Sequence, residues 1–127
     1  MVARLERLNS AENQLVDVER FRDTLSMVCD DSDPCGYCFL AMFVSECDHD
    51  LHSLEGHLGN HPAISKICHK WIGRCAQLGM VGLERRGKQL QAMAKGEADV
   101  GVVRGWISEM VEELERVRSA LQYMSDY

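Results

Sequence analysis

All six cysteines and all five histidines of this chain lie between Cys29 and Cys75. Thiols and imidazoles bind soft metals and carry out thiol redox chemistry, so chemistry is expected in this stretch. Its tightest motif is Cys35-Gly36-Tyr37-Cys38. Behind Pro34 the motif falls at a predicted helix N-terminus, where the positive end of the helix dipole favours loss of the first thiol's proton. His49 and His52 are one helical turn apart and can reach one ion. Glu46-x-x-His49 has the form of the single-helix element of carboxylate-bridged di-metal bundles, which need a second such element on another helix. A homodimer would supply it by symmetry. Cys47 and Cys75 form a further candidate pair. Two thiolates suit Cu(I), whereas a closed zinc site needs four ligands. The candidate metal set is therefore His49, His52, Glu46, Cys47 and Cys75, for zinc or copper. The sequence contains no Gly-rich phosphate loop, no Ser-His-Asp set and no nucleotide-binding signature.

The tetrapeptide is similar to the CxxC of thioredoxin-type oxidoreductases, without the βαβ pattern that accompanies it there. It also resembles the Cys-x-Tyr-Cys of the alkylhydroperoxidase AhpD and carboxymuconolactone decarboxylase family. That resemblance covers only the short stretch around Cys35 and Cys38. It implies an all-helical protein with these two thiols as a catalytic redox pair. The family's usual His one turn past the second Cys is Met42 here. An upstream Glu of the family's proton relay is not found either, so the group that would deprotonate the thiol is missing.

The elements that must position these residues are helices. Two prolines, 6% aromatics and an abundance of Leu, Val, Met, Glu and Arg favour helix over strand. Apolar spacing predicts an all-α, largely antiparallel four-helix bundle forming one domain over residues 1–127. A first helix spans about 3–29, with Leu8, Ala11, Leu15, Val18, Leu25 and Cys29 as its seam and Arg22 interrupting it. A second spans 34–58, with Asp33 as its cap and Pro34 as its first residue. Its seam of Tyr37, Leu40, Val44, Cys47, Leu51, Leu54 and Leu58 has no fault. A third spans 62–95, with a kink expected near 79–82 because glycines are costly inside helices. A fourth spans 99–124, with Val103, Ile107, Met110, Leu114, Val117, Leu121 and Met124 inward.

The second and third helices dock as a hairpin in one register. Leu58 meets Ile64, Leu54 meets Cys68, Leu51 meets Trp71, Cys47 meets Cys75, Val44 meets Leu78 and Leu40 meets Gly82. Flanking charges then face their opposites: Glu46 near Arg74, Asp50 near Lys70, Glu55 near Lys66. In this register Cys47, Cys68 and Cys75 are core filling, and burial makes such thiols inert.

The back of the second helix carries a different stripe. Cys35, Cys38, Met42, Ser45, His49 and His52 fall opposite the leucine seam by the 100° rule. A solvated face would carry Lys and Glu. This one carries soft, semi-polar groups, which reads as a second packing surface against helix 1, helix 4 or a second copy.

A formal charge of −6 does not favour nucleic acid as a partner. In the third helix Arg85, Arg86 and Lys88 are the cations left unmatched by the hairpin, and Glu109, Glu112, Glu113 and Glu115 of the fourth read as solvated. The N-terminal residues lack the apolar core of a signal peptide, and the longest apolar run, Phe39 to Val44, is too short to span a bilayer. The sequence therefore reads as a small cytoplasmic interaction module of bacterial or phage type: an adaptor, chaperone or regulator that is a homodimer and binds another protein through Met42, Ser45, His49 and His52. A dithiol redox protein using Cys35 and Cys38 is the alternative, and a zinc- or copper-binding bundle the second alternative.

Overall fold

The computed structural model describes residues 3–31 and 36–125, with side chains over 4–31 and 36–121. Among these residues there are six helices: α1 Ala3–Glu6, α2 Val18–Val28, α3 Tyr37–Glu55, α4 His61–Gln77, α5 Val81–Lys95 and α6 Val100–Ser125. The four long ones touch in the closed order α3, α4, α5, α6 and back to α3. The two short ones are additions: α1 lies on α6 and α2 on α4. No helix among the described residues is long and apolar enough to cross a membrane.

The expected first helix over 3–29 is two helices separated by an irregular segment. Its middle holds Asn9, Ser10 and Asn13, whose side chains compete with helical backbone bonds. The Asn9 side-chain oxygen accepts from the Leu15 and Val16 amides, each at 2.8 Å, and its amide donates to the Val16 carbonyl at 2.9 Å. The helix resumes only where Asp17 caps it, accepting from the Arg20 amide at 3.1 Å. Ala11, expected in the seam, is exposed, and Phe21 takes the buried place.

The expected third helix is also two, and the kink foreseen near 79–82 is a full break. Gly79 has φ +73°, the left-handed conformation that ends helices. The Gly79 amide donates to the Ala76 carbonyl at 3.2 Å and the Met80 amide to the Cys75 carbonyl at 2.9 Å. That paired pattern is a Schellman motif, with Met80 and Cys75 both fully buried beside it. The backbone groups left over at the break are satisfied by the N-terminal segment. Thr24 Oγ1 donates to the Gln77 carbonyl at 2.7 Å, and Arg20 Nη1 donates to the Ala76 carbonyl at 3.2 Å. The Leu15 carbonyl accepts from the Gly82 amide at 3.0 Å, capping α5, which has no side-chain cap of its own. The Asp17 amide closes the set by donating to the Gly79 carbonyl at 2.7 Å.

The α3–α4 hairpin follows the predicted register over its middle. Cys47 and Cys75 are hydrogen-bonded to each other, and Arg74 Nε lies 2.7 Å from Glu46 Oε2. The register fails at its open end. Gly82, expected opposite Leu40, lies against Leu15 and Glu113, because the chain has already turned at Gly79. Asp50, expected opposite Lys70, bonds Arg74 instead.

Trp71 explains another glycine. It is fully buried, and its indole N–H donates to the Leu83 carbonyl at 2.7 Å. A Cβ at Gly87 would sit 2.5 Å from the Trp71 ring. Only glycine lets α5 come this close to the indole, whose burial is worth roughly 1.5–3 kcal/mol. In α6 the predicted seam is buried from Val103 to Leu121; the Met124 side chain lies outside the described ones.

Two glycines, one inside α4 and one at the turn that follows it, should respond oppositely to alanine. At Gly79 a Cβ would lie 2.6 Å from the Asp17 carbonyl oxygen on top of the unfavourable φ, so Gly79→Ala should destabilise by about 2 kcal/mol or more. Gly73 is exposed inside the helix with nothing near its Cβ position, so Gly73→Ala should stabilise by up to about 1 kcal/mol. Urea denaturation of the two variants beside the parent chain reads both signs.

Candidate functional site

The outer face of α3 is where the sequence placed a docking surface. α3 buries Leu40, Phe43, Cys47, Asp50, Leu51 and Leu54 on its inner side, toward α4 and α6. A helix that buries one stripe leaves the opposite stripe outward. Cys38, Met42, Ser45, His49 and His52 are accordingly all exposed. Met42 is 59% exposed, and Tyr37 beside it at the helix start is 48% exposed. Among the described residues no other helix covers this stripe; α6 meets α3 elsewhere, with Arg118 bonded to Asp48. The inward flank of Met42 forms a small recess of about 70 Å³ with Phe39, Phe43 and Arg74.

The redox motif is only partly placed. Cys35 lies outside the described residues, as do Asp33 and Pro34. Gly36 is the residue before α3, at φ +69°, where a Cβ would overlap the Leu25 side chain and lie 3.3 Å from Cys29 Sγ. Cys38 follows in the first turn and is exposed.

The candidate metal donors are not gathered. Cys47 and Cys75 are fully buried, whereas His49 and His52 point outward from the opposite side of α3. Glu46 is held by Arg74. Among the described residues no group of three or more His, Cys, Asp or Glu converges on a common point. His61 is used structurally, its Nε2 bonding the Ala98 carbonyl at 2.8 Å and tying the start of α4 to the α5–α6 link.

The interior thiols are chemically quiet. Burial raises the Cys75 thiol well above its ordinary value, and the hydrogen bond with Cys47 adds to that. Burial, then the negative charge of Asp50, raises the Cys68 thiol to about 12. Such thiols are not nucleophiles near neutrality.

Two features were not foreseen from sequence. Glu113, expected on a solvated face, has a side chain only 3% exposed. It lies over Gly82, where a Cβ would come within 2.8 Å of its Oε2. Arg86 reaches Glu113 Oε1 at 3.4 Å and Glu109 Oε2 at 2.5 Å, while Glu113 Oε2 has no hydrogen-bond partner. Burial raises the Glu113 carboxyl above its ordinary value of 4.5, with Arg86 pulling it back. The second feature is the placing of the cations. Arg85, Arg86 and Lys88, expected to be unmatched, are all engaged: Arg85 donates to the Asn13 side chain at 2.9 Å, and Lys88 lies 3.0 Å from Glu84. Lys66 and Lys70, expected in ion pairs, instead line a cleft between α4 and α5.

No protein-family model, no curated protein and no solved structure matches this chain.

Two measurements check the chemistry of these sites. A thiol reagent applied to the native protein should label Cys38 and spare Cys47, Cys68 and Cys75 until denaturant is added, as read by peptide mass mapping. Glu113 should make stability fall with rising pH. Its folded form binds the proton more tightly than the unfolded chain, so the stabilisation is complete below about 4.5 and is lost as pH rises through the higher folded value. Glu113→Gln, which does not titrate, should therefore gain stability relative to the parent as pH is raised from about 4.5, measured by denaturant titration at each pH.

Proposed function

We propose that this protein is a small interaction module, an adaptor, chaperone or regulator, that works as a homodimer joined through the outer face of α3. In this reading the four long helices act as one four-helix bundle, with α2 and the residues just before it strapping the α4–α5 corner and α1 lying on α6. The observation that carries the reading is the uncharged outer stripe of Cys38, Met42, Ser45, His49 and His52, exposed together over the length of the helix.

Isolated exposed apolar residues are ordinary. A helical stripe several turns long without Lys, Arg, Asp or Glu is not, because solvated faces of helices are normally charged. Of the coverings a second packing surface could have, the other helices are elsewhere among the described residues. A second copy remains, and a two-fold interface brings each α3 onto its counterpart. The mixture of Met42 with hydroxyl and imidazole groups suits a surface that must be both wettable and sticky, since Met adapts to irregular partners. The inert interior thiols support a structural rather than a catalytic role for most of the cysteines.

Met42→Glu is the test. At an exposed position it should change monomer stability by no more than about 0.5 kcal/mol, while a carboxylate buried in a dimer contact costs several kcal/mol. The expected result is a parent chain of dimeric mass and a variant of monomeric mass, by light scattering at matched concentration, with the same helical signal and a denaturation midpoint that depends on concentration in the parent only. A parent chain that is monomeric, or a dimer indifferent to the substitution, would falsify the reading.

A further inference from the structure

The cleft between α4 and α5 is an open feature lined by three lysines. It measures about 400 Å³ and is lined by Lys66, Ile67, His69 and Lys70 of α4 together with Gln91 and Lys95 of α5. No acidic residue lines it. Among the described residues, none of its three lysines takes part in an ion pair, whereas Arg74, Arg86, Lys88 and Arg118 all do. In a chain of formal charge −6, uncompensated cations are thus gathered in one place.

The walls have a defined form. Lys66 and Lys70 are one turn apart on the same face of α4, and Lys95 comes from the last turn of α5. Gln91 is held in place by a bond from its amide to the Ser65 carbonyl at 3.2 Å. Ile67 and the lysine stems make the remaining surface apolar, with the ammonium groups free to lie at the rim.

We propose that this cleft binds a short acidic peptide segment of a partner protein, its carboxylates meeting Lys66, Lys70 and Lys95 and an apolar side chain resting on Ile67. The chemistry argues for this occupant over others. Single-stranded nucleic acid is held by stacking on aromatic rings, and the cleft has none. Duplex binding needs a long basic stripe on a chain whose overall charge does not repel phosphates. A free phosphate favours converging backbone amides or an arginine fork, also absent from the lining. Separated lysines around an apolar floor match carboxylates distributed along a chain. The site lies on helices other than α3 and stands or falls separately from the dimer.

The test uses the full chain, ¹⁵N-labelled, and three probes: a synthetic peptide of alternating Glu and Leu, the same peptide with Gln for Glu, and oligo-dT. The Glu peptide should shift the amide resonances of Ser65, Ile67 and Gln91 and bind more weakly as salt is raised. The double variant Lys66→Glu, Lys70→Glu should weaken that binding by roughly tenfold or more while keeping the parent's helical signal and denaturation midpoint. Lys66→Gln with Lys70→Gln, which removes charge without reversing it, guards against a fold defect and should give a smaller loss of the same kind. Equal binding of the Gln peptide, shifts confined to other surfaces, tighter binding of oligo-dT at this cleft, or no binding at low salt would each overturn the proposal.

Discussion

The structure depends on the corner where α4 gives way to α5. A helix break inside a compact fold strands backbone amides and carbonyls that must find partners away from water. Here the Schellman turn at Gly79 satisfies part of them, and the segment from Leu15 to Thr24 satisfies others. Each such bond is worth only about 1 kcal/mol net, but leaving a buried group unpaired costs about 1–3 kcal/mol. The N-terminal segment is therefore not an appendage. It converts a costly interruption into a fixed angle, and that angle turns α5 back along α4, brings Gly87 under Trp71 and opens the lysine-lined cleft.

The same economy governs the charges. Arg74 lies between Glu46 and Asp50, tying α4 to α3, and Arg86 lies between Glu109 and Glu113, tying α5 to α6. Each guanidinium serves one carboxylate that is largely buried and one at the edge. Such pairs add little net stability over apolar packing, yet removing one member would strand a buried charge. They act more as register pins than as glue. Because Arg74 takes Asp50, Lys70 loses the partner that simple facing would give it, so the core's electrostatics leave the cleft's cations unanswered.

What could be read from the sequence follows from what repeats. The seams of α4 and α6 recur with helical spacing, so their buried faces and the Cys47–Cys75 contact were legible, while in α3 Tyr37 of the expected seam is exposed, Val44 is half-buried, and Phe43 and Asp50 are buried beside it. The two broken helices were not legible. Leu15 and Val18 keep helical spacing although the chain between Asn9 and Asp17 is not helical, because burial against the corner needs the same apolar residues whatever the local backbone. Gly79 announced an irregularity, but only the position of its partners, Asp17 and Phe21, decides between a bend and a break. Glu113 was invisible for a related reason. Its burial rests on the gap at Gly82 in another helix and on Arg86, and no local pattern in α6 records either.

The two surfaces differ in what drives them. The stripe along the outer face of α3 carries no formal charge, so the association proposed there would draw on removal of apolar and semi-polar area from water and be little affected by salt. The α4–α5 cleft draws on exposed ammonium groups, whose reach is limited to about 8–10 Å at ordinary ionic strength. An apolar contact sets how long a complex lasts, whereas a charged rim mainly speeds encounter and selects partners of opposite sign. Arg74 joins α4 to α3: it lines the recess behind Met42 and holds Glu46 and Asp50. A single half-buried side chain thus ties the inner wall of the α3 face to α4, the helix that also carries Lys66 and Lys70 of the cleft.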